Sequence, residues 1–356
     1  MKPLLVTANA ESTGKTAITL ALARIVAEQD GSVGYMKPKG TRLQSNVGKT
    51  LDEDPMLARD LLGMDAEMHE LEPIVYSPTF VQSAIRGTED ADSVRARILE
   101  AYEDLAASYD TVFLEGGGLV AGKILEIADG DIAELVDADV VLVCRYDGLT
   151  AVDDVLAAVD DVGEERLRGV VFNGVPDQLF DELTTDVVPF LEGRGIPVVG
   201  VVPRQRDLAG VTVTELADEL GAELLTDVPT DGLVERFSVG AMGADAALRG
   251  FRRTKNAAVI TGGDRADLHA AALESPGVKC LILTGGHRPS GAVLGKATEK
   301  GVPVMLVRSN TITTIDRAED VVRSGRTRDE TTVDRMVELL GAHAEVDEIL
   351  DRDTSK

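Results

Sequence analysis

The apolar run Pro3–Thr7 leads through one short loop into Gly14-Lys15-Thr16, at the head of the amphipathic stretch Lys15–Gln29. This junction constrains the fold more than any other feature of the chain. A strand that passes through such a turn straight into a helix gathers backbone N–H groups and the positive helix end around one point, which suits a phosphate. Gly14 lets the backbone turn inward, Lys15 reaches the β- and γ-phosphates, and Thr16 offers a hydroxyl to Mg²⁺. The strict pattern has a glycine five residues before Gly14, where Asn9 stands here. Asparagine tolerates left-handed backbone better than most residues. Asn9, Gly14, Lys15 and Thr16 are therefore expected to hold ATP with Mg²⁺, against the plainer reading of a chance Gly-Lys-Thr.

The chain around this turn alternates in the way such a junction requires. Val33–Met36, Thr111–Leu114, Val140–Cys144, Val170–Phe172 and Val198–Val202 are nearly continuous aliphatic runs, as in strands covered on both faces. Ser93–Ser108, Ala151–Val162, Phe180–Glu192 and Val213–Leu220 carry helical spacing. Repeated β–α alternation predicts an α/β fold with a mostly parallel sheet and right-handed crossovers. At 356 residues the chain exceeds one common domain, and the turn-rich segment from Thr226 to Gly232 marks the boundary. A P-loop parallel-sheet domain is expected over residues 1–225 and a smaller α/β domain over 226–356. In the second, Ala257–Thr261, Lys279–Thr284 and Pro303–Val307 read as strands, and Ala266–Leu273, Ala292–Lys300 and Thr314–Arg323 as helices. A last helix, Thr331–Leu340, leads to a charged tail that frays.

Three further features gather around the phosphate turn. Tyr35-Met36-Lys37-Pro38-Lys39-Gly40 ends a strand with two lysines, a second cationic edge near the phosphates. Asp54 sits in the acidic start of a helix, and Glu115 precedes Gly116-Gly117-Gly118 at the end of another strand. Oxygens of Thr16, Asp54 and Glu115 suit Mg²⁺, which keeps its other positions for water and phosphate. In the second domain, Gly262, Gly263, Asp264 and Arg265 follow one strand. Thr284, Gly285 and Gly286, then His287 and Arg288, follow the next. Ligands of open parallel sheets sit at such strand ends, so these loops are expected to surround one small anion. The plainer reading is tight turns with arginines that neutralise nearby acids.

Charge narrows the partners. With 62 acidic against 36 basic residues the net charge is −26, which repels nucleic-acid phosphate and anionic lipid. Nucleic acid and membrane are therefore not expected as partners. Only 11 of the basic residues are lysine, and this acid-rich, lysine-poor pattern points to a halophilic source. The fold should need salt, since the Debye length shrinks from about 10 Å at 0.1 M to about 3 Å at 1 M. The melting temperature is expected to rise steeply from dilute buffer to molar KCl, and a flat profile would make the acidity incidental. Cys144 and Cys280 lie in apolar runs and read as buried thiols. The four scattered histidines have no cysteine beside them, which argues against zinc. No apolar run reaches bilayer length, so a reducing cytoplasm is the expected location.

Taken in order, Gly14-Lys15-Thr16, Tyr35-Met36-Lys37-Pro38, Asp54 and Glu115-Gly116-Gly117-Gly118 resemble the dethiobiotin synthetase family over about residues 1–225. The resemblance implies that Asn173 reads adenine and that Pro203 is the strand-end proline beside the nucleotide. It also implies that Lys15 and Lys37 steady the phosphate charge while ATP drives carboxylation and ring closure of a diamine. Departures are Ala8 for a loop glycine, and Ala10 and Ser12 where that family carries acidic residues. The second-domain loops resemble the DRTGG domain. The two domains together resemble the regulatory N-terminal region of long phosphate acetyltransferases, with the acyltransferase domain absent beyond Lys356. This implies an ATP-binding, metabolite- or nucleotide-sensing regulatory protein without acetyltransferase activity, partnered with a metabolic enzyme and assembled as a homodimer. The alternative is an ATP-dependent carboxylate or amine ligase of the dethiobiotin synthetase or cobyrinate-amidating type, with Lys37 catalytic. A third reading is an assembly module with a relict site.

Overall fold

A computed structural model describes residues 2–10, 12–29, 31–40, 44–46, 49–205, 210–240, 243–323 and 330–351, so the tail beyond 351 lies outside the described residues. The chain divides into two compact units, residues 1–204 with 326–356, and residues 205–325.

Among the described residues of the first unit, six strands form a parallel sheet. In spatial order they are Val198–Pro203, Leu167–Val175, Asp139–Cys144, Leu4–Ala8, Thr111–Glu115 and Val33–Met36. Leu4–Ala8 and Thr111–Glu115 are buried throughout, which explains their lack of a polar alternate face. The helix Lys15–Ala27 packs Ile18, Leu20 and Leu22 into this core. Leu4–Ala8 lies between Thr111–Glu115 and Asp139–Cys144, where the connections diverge to opposite sides of the sheet. That switch point opens a crevice at the carboxyl ends of the strands and gathers their loops around the phosphate turn.

The second unit has a five-stranded sheet among its described residues. Its order is Glu223–Leu224, Val304–Leu306, Val278–Thr284, Ala257–Gly262 and Arg236–Val239, and only the first pairing is antiparallel. Alternate side chains serve opposite faces, as strand pleating dictates. Ile260, Ile282 and Met305 meet Leu216 and Ala318, whereas Val259, Leu281 and Leu283 meet Leu268 and Ala297. Cys144 and Cys280 are both free and buried, and burial pushes both thiols up.

Two differences from the sequence reading have plain physical causes. The boundary falls near 204/205 rather than 225/226, because helix Val213–Leu220 and strand Glu223–Leu224 bury and pair with the second sheet. At the other end, helix Glu330–His343 leaves the second unit and returns to the first. There Glu330 and Asp334 hold Arg24 at 2.9 and 3.1 Å. Gly200 bridges to Ala344, and the Glu345 N–H donates to the Val199 carbonyl at 2.8 Å. The stretch read as one helix over Phe180–Glu192 starts earlier, at Asp177, and widens into a π-turn at Leu183–Val187. Pro189 has no N–H to continue the regular ladder at that point.

Candidate functional site

Gly14 sits at φ 88°, the left-handed region that glycine enters without cost, and it starts helix Lys15–Ala27. Strand Leu167–Val175 buttresses the turn: the Asn173 side-chain N–H donates to the Thr13 carbonyl at 2.7 Å. A Cβ on Gly14 would lie 2.5 Å from that same nitrogen, so the close approach also demands glycine here. Asn173 is thus brought to the phosphate turn itself. Pro203 ends the neighbouring strand, opposite Val175.

Behind the turn lies a buried polar cluster. The Thr16 hydroxyl donates to Glu115 Oε1 at 2.7 Å, and the Tyr35 hydroxyl to Glu115 Oε2 at 2.7 Å. Lys37, 1% exposed, places its ammonium 2.6 Å from Asp52, 2.5 Å from Asp54 and 3.7 Å from Glu115. Burial works against this ammonium, but Glu115, Asp54 and Asp52 outweigh it and hold its pKa above the usual lysine range. Burial likewise pushes the carboxyls of Glu115 and Asp52 up, with Lys37 opposing. The structure therefore brings Thr16, Lys37, Asp54 and Glu115 together, as the sequence reading placed them. Their oxygens are of the hard type that a divalent cation of the Mg²⁺ kind takes, but Lys37 already shares them. Among the described residues no group of three or more His, Cys, Asp or Glu side chains is placed to hold a metal ion as it stands.

Lys39 corrects the expectation of a cationic edge. It is fully buried and gives its protons to Asp129 at 2.8 Å, the Ile127 carbonyl at 2.7 Å and the Gly118 carbonyl at 3.2 Å. Asp129 also accepts from the Thr7 hydroxyl at 2.5 Å and the Gly117 and Gly118 N–H groups at 3.0 and 2.9 Å. Burial opposes that charge, yet Lys39 and these donors hold the Asp129 carboxyl below its usual range. A Cβ on Gly116 would lie 2.1 Å from Asp129, and one on Gly117 2.8 Å from Lys39 carbons, so the glycine run exists to let this pair pass beneath it.

Asp52 and Tyr35, which the sequence reading met only as neighbours of Asp54 and Lys37, and Glu72, which it did not meet, complete the site. Asp52 shares Lys37 with Asp54, and Tyr35 orients Glu115. Glu72, 8% exposed, leaves one buried carboxylate oxygen without a partner. Burial, then Asp52, pushes its carboxyl up to about 7. No local motif marks Glu72, since its neighbours reach it only through the fold. A cleft of about 1160 Å³ opens beside the turn, with Asn9, Lys15, Tyr76, Val81, Ile85 and Leu119 in its wall.

In the second unit, Gly262 and Thr284 lie side by side at the carboxyl ends of adjacent strands. The Gly263 N–H donates to the Thr284 carbonyl at 3.2 Å, and Gly285 and Gly286 donate to Ser309 and Val307 at 2.9 and 3.0 Å. The Thr284 and Thr311 hydroxyls are 2.7 Å apart. Arg265 bonds Asp267 at 3.1 Å and Arg288 bonds Glu223, while Asp264 directly precedes Arg265 on its loop. His269 is buried and donates from Nε2 to the Gly262 carbonyl at 3.0 Å; burial lowers its pKa, and that bond opposes the shift. Among the described residues no helix is long and apolar enough to cross a membrane.

A sequence model of the AAA domain matches residues 2–212, and one of the DRTGG domain matches residues 215–321. A probable cobyric acid synthase of Methanothermobacter thermautotrophicus is 26% identical over 231 residues, 58% of this chain and 45% of that protein. The ATP-dependent dethiobiotin synthetase of Methanocaldococcus jannaschii is 26% identical over 204 residues, 54% of this chain and 90% of that protein. A phosphate acetyltransferase of Pseudomonas putida is 23% identical over 358 residues, 93% of this chain and 49% of that protein. The chain thus spans about half the length of the cobyric acid synthase and the acetyltransferase that it matches.

Proposed function

Because the chain belongs to the AAA domain family and carries a DRTGG domain after it, we propose that its first unit binds ATP with Mg²⁺ in the service of a regulatory, metabolite- or nucleotide-sensing role. The observation that carries this reading is the junction at Gly14, where a left-handed glycine opens a helix with Lys15 and Thr16 at its first positions. Lys15 and the helix N-terminus hold the phosphates, and Asn173 steadies the turn through its bond to the Thr13 carbonyl. Thr16, Asp54 and Glu115 would hold Mg²⁺, which neutralises phosphate charge when bound. Support for the regulatory reading comes from the pairing of the two domains, which also aligns with the acetyltransferase along nearly the whole chain.

A second reading, an ATP-dependent carboxylate or amine ligase, is favoured by the burial of Lys37 among Asp52, Asp54 and Glu115. A passive sensor has no use for a buried lysine held among three carboxylates. Calorimetry with ATP·Mg²⁺, paired with a phosphate-release assay in molar KCl, separates the two. Regulatory function predicts saturable binding with little turnover. Turnover stimulated at least tenfold by a carboxylate or amine would favour the ligase, and absence of binding would overturn both.

A further inference from the structure

We propose that Arg145 is a positioning residue for the nucleotide, clamping the phosphate turn from the end of the neighbouring strand. This rests on the ATP-binding reading above and concerns how the turn is held ready. Strand Asp139–Cys144 runs in register with Leu4–Ala8, Val143 opposite Ala8, so the residues just beyond Cys144 emerge beside the foot of the turn. Three contacts stitch them together. The Asn9 N–H donates to the Val143 carbonyl at 3.3 Å, and the Arg145 N–H donates to Asn9 Oδ1 at 3.4 Å. The Arg145 guanidinium reaches across the turn and donates from Nη2 to the Ser12 carbonyl at 3.3 Å.

The two residues so held are those where this turn departs from a glycine-rich one. Asn9 stands where the strict pattern has glycine. Ser12 sits at φ 56°, a left-handed conformation that a residue with a Cβ rarely adopts. A glycine would enter that conformation unaided; serine there needs its neighbours to hold it. From the next strand out, on the same side of Leu4–Ala8, Asn173 grips Thr13. The turn is therefore held from two strand ends, and Arg145, itself exposed, supplies one grip and a permanent positive charge beside the phosphates. Since the guanidinium touches the back of the loop at Ser12, its effect should fall on every phosphate the loop cradles.

The test uses the full chain in molar KCl: calorimetry with ATP and with ADP, each with Mg²⁺, on the wild type, Arg145→Ala and Arg145→Lys, plus melting of each without nucleotide. The expected result is that Arg145→Ala loses affinity for ATP and ADP alike, by about tenfold. Arg145→Lys should stay within about threefold of wild type, because an ammonium on a long stem can still donate to the Ser12 carbonyl. Nucleotide-free melting should be the same in all three. Unchanged affinity in Arg145→Ala overturns the proposal, as does loss confined to ATP, which would mean a direct γ-phosphate contact. Failure of lysine to rescue, or lower melting without nucleotide, also overturns it. If the wild type binds neither nucleotide, the parent reading falls with it; if it binds and Arg145→Ala matches it, only the clamp falls.

Discussion

An Asp129→Ala chain is expected to hold its first unit together about 3–5 kcal/mol less firmly than the wild type. The loss is large because the change strands a charge. Lys39 is fully buried, and its other acceptors, the carbonyls of Ile127 and Gly118, carry no countercharge. Thr7 and the N–H groups of Gly117 and Gly118 lose their acceptor at the same time. The sign of the pH dependence follows from the direction of the Asp129 shift. A folded pKa below the unfolded value of about 3.9 gives stabilisation that is complete above that value and lost as pH falls through the folded one. Chemical denaturation at pH 7 therefore reads the whole effect. Asp129→Ala with Lys39→Met should recover much of it, since removing both partners leaves no orphan charge. A loss under about 1 kcal/mol for Asp129→Ala alone would show that water reaches Lys39.

Lys15→Ala is expected to cost at least tenfold in ATP affinity, about 1.4 kcal/mol, measured by calorimetry with Mg²⁺ present. Lys15 is the first residue of the helix that Gly14 opens, and its charge acts on both Glu115 and Asp129. Its removal takes a cation from beside the phosphates while leaving the acids in place, so repulsion adds to the lost attraction. Folding should be little affected by comparison, because the helix it begins is secured by Ile18, Leu20 and Leu22. An ATP affinity equal to wild type would remove the nucleotide assignment altogether.

What the sequence disclosed was whatever a short stretch determines by itself. Gly14-Lys15-Thr16 between an aliphatic run and an amphipathic one fixes strand, turn and helix locally. Glu115 could be placed because a carboxylate before three glycines ends its own strand. Lys39 shows the limit: beside Lys37 it reads as a second exposed cation, yet its partner Asp129 lies far along the chain and only the sheet brings them together. Glu72 is invisible for the same reason, since its raised pKa comes from Asp52 and burial rather than from any neighbour in sequence. The domain boundary misled because the turn-rich segment after Thr226 is a loop within the second unit, whereas the true division is an unremarkable stretch near Arg204. At the second-unit loops the plainer reading, arginines that neutralise nearby acids, describes what Arg265 and Arg288 do in bonding Asp267 and Glu223.

The helix Glu330–His343 belongs to the first unit but is reached only after residues 205–325 have been laid down. During synthesis, therefore, the strand Val198–Pro203 leaves the ribosome as an open sheet edge, with nothing yet available to pair at Gly200 or Val199. Open edges invite pairing with other chains. Lengthening the intervening loop costs little at equilibrium, because closure entropy grows only as the logarithm of length. It does cost time: the nascent sheet must wait while a whole second unit is made and folded. The helix that begins at the phosphate turn waits with it, since Arg24 gains Glu330 and Asp334 only when the last segment arrives. A newborn chain of this kind completes its first unit only after the second has been made.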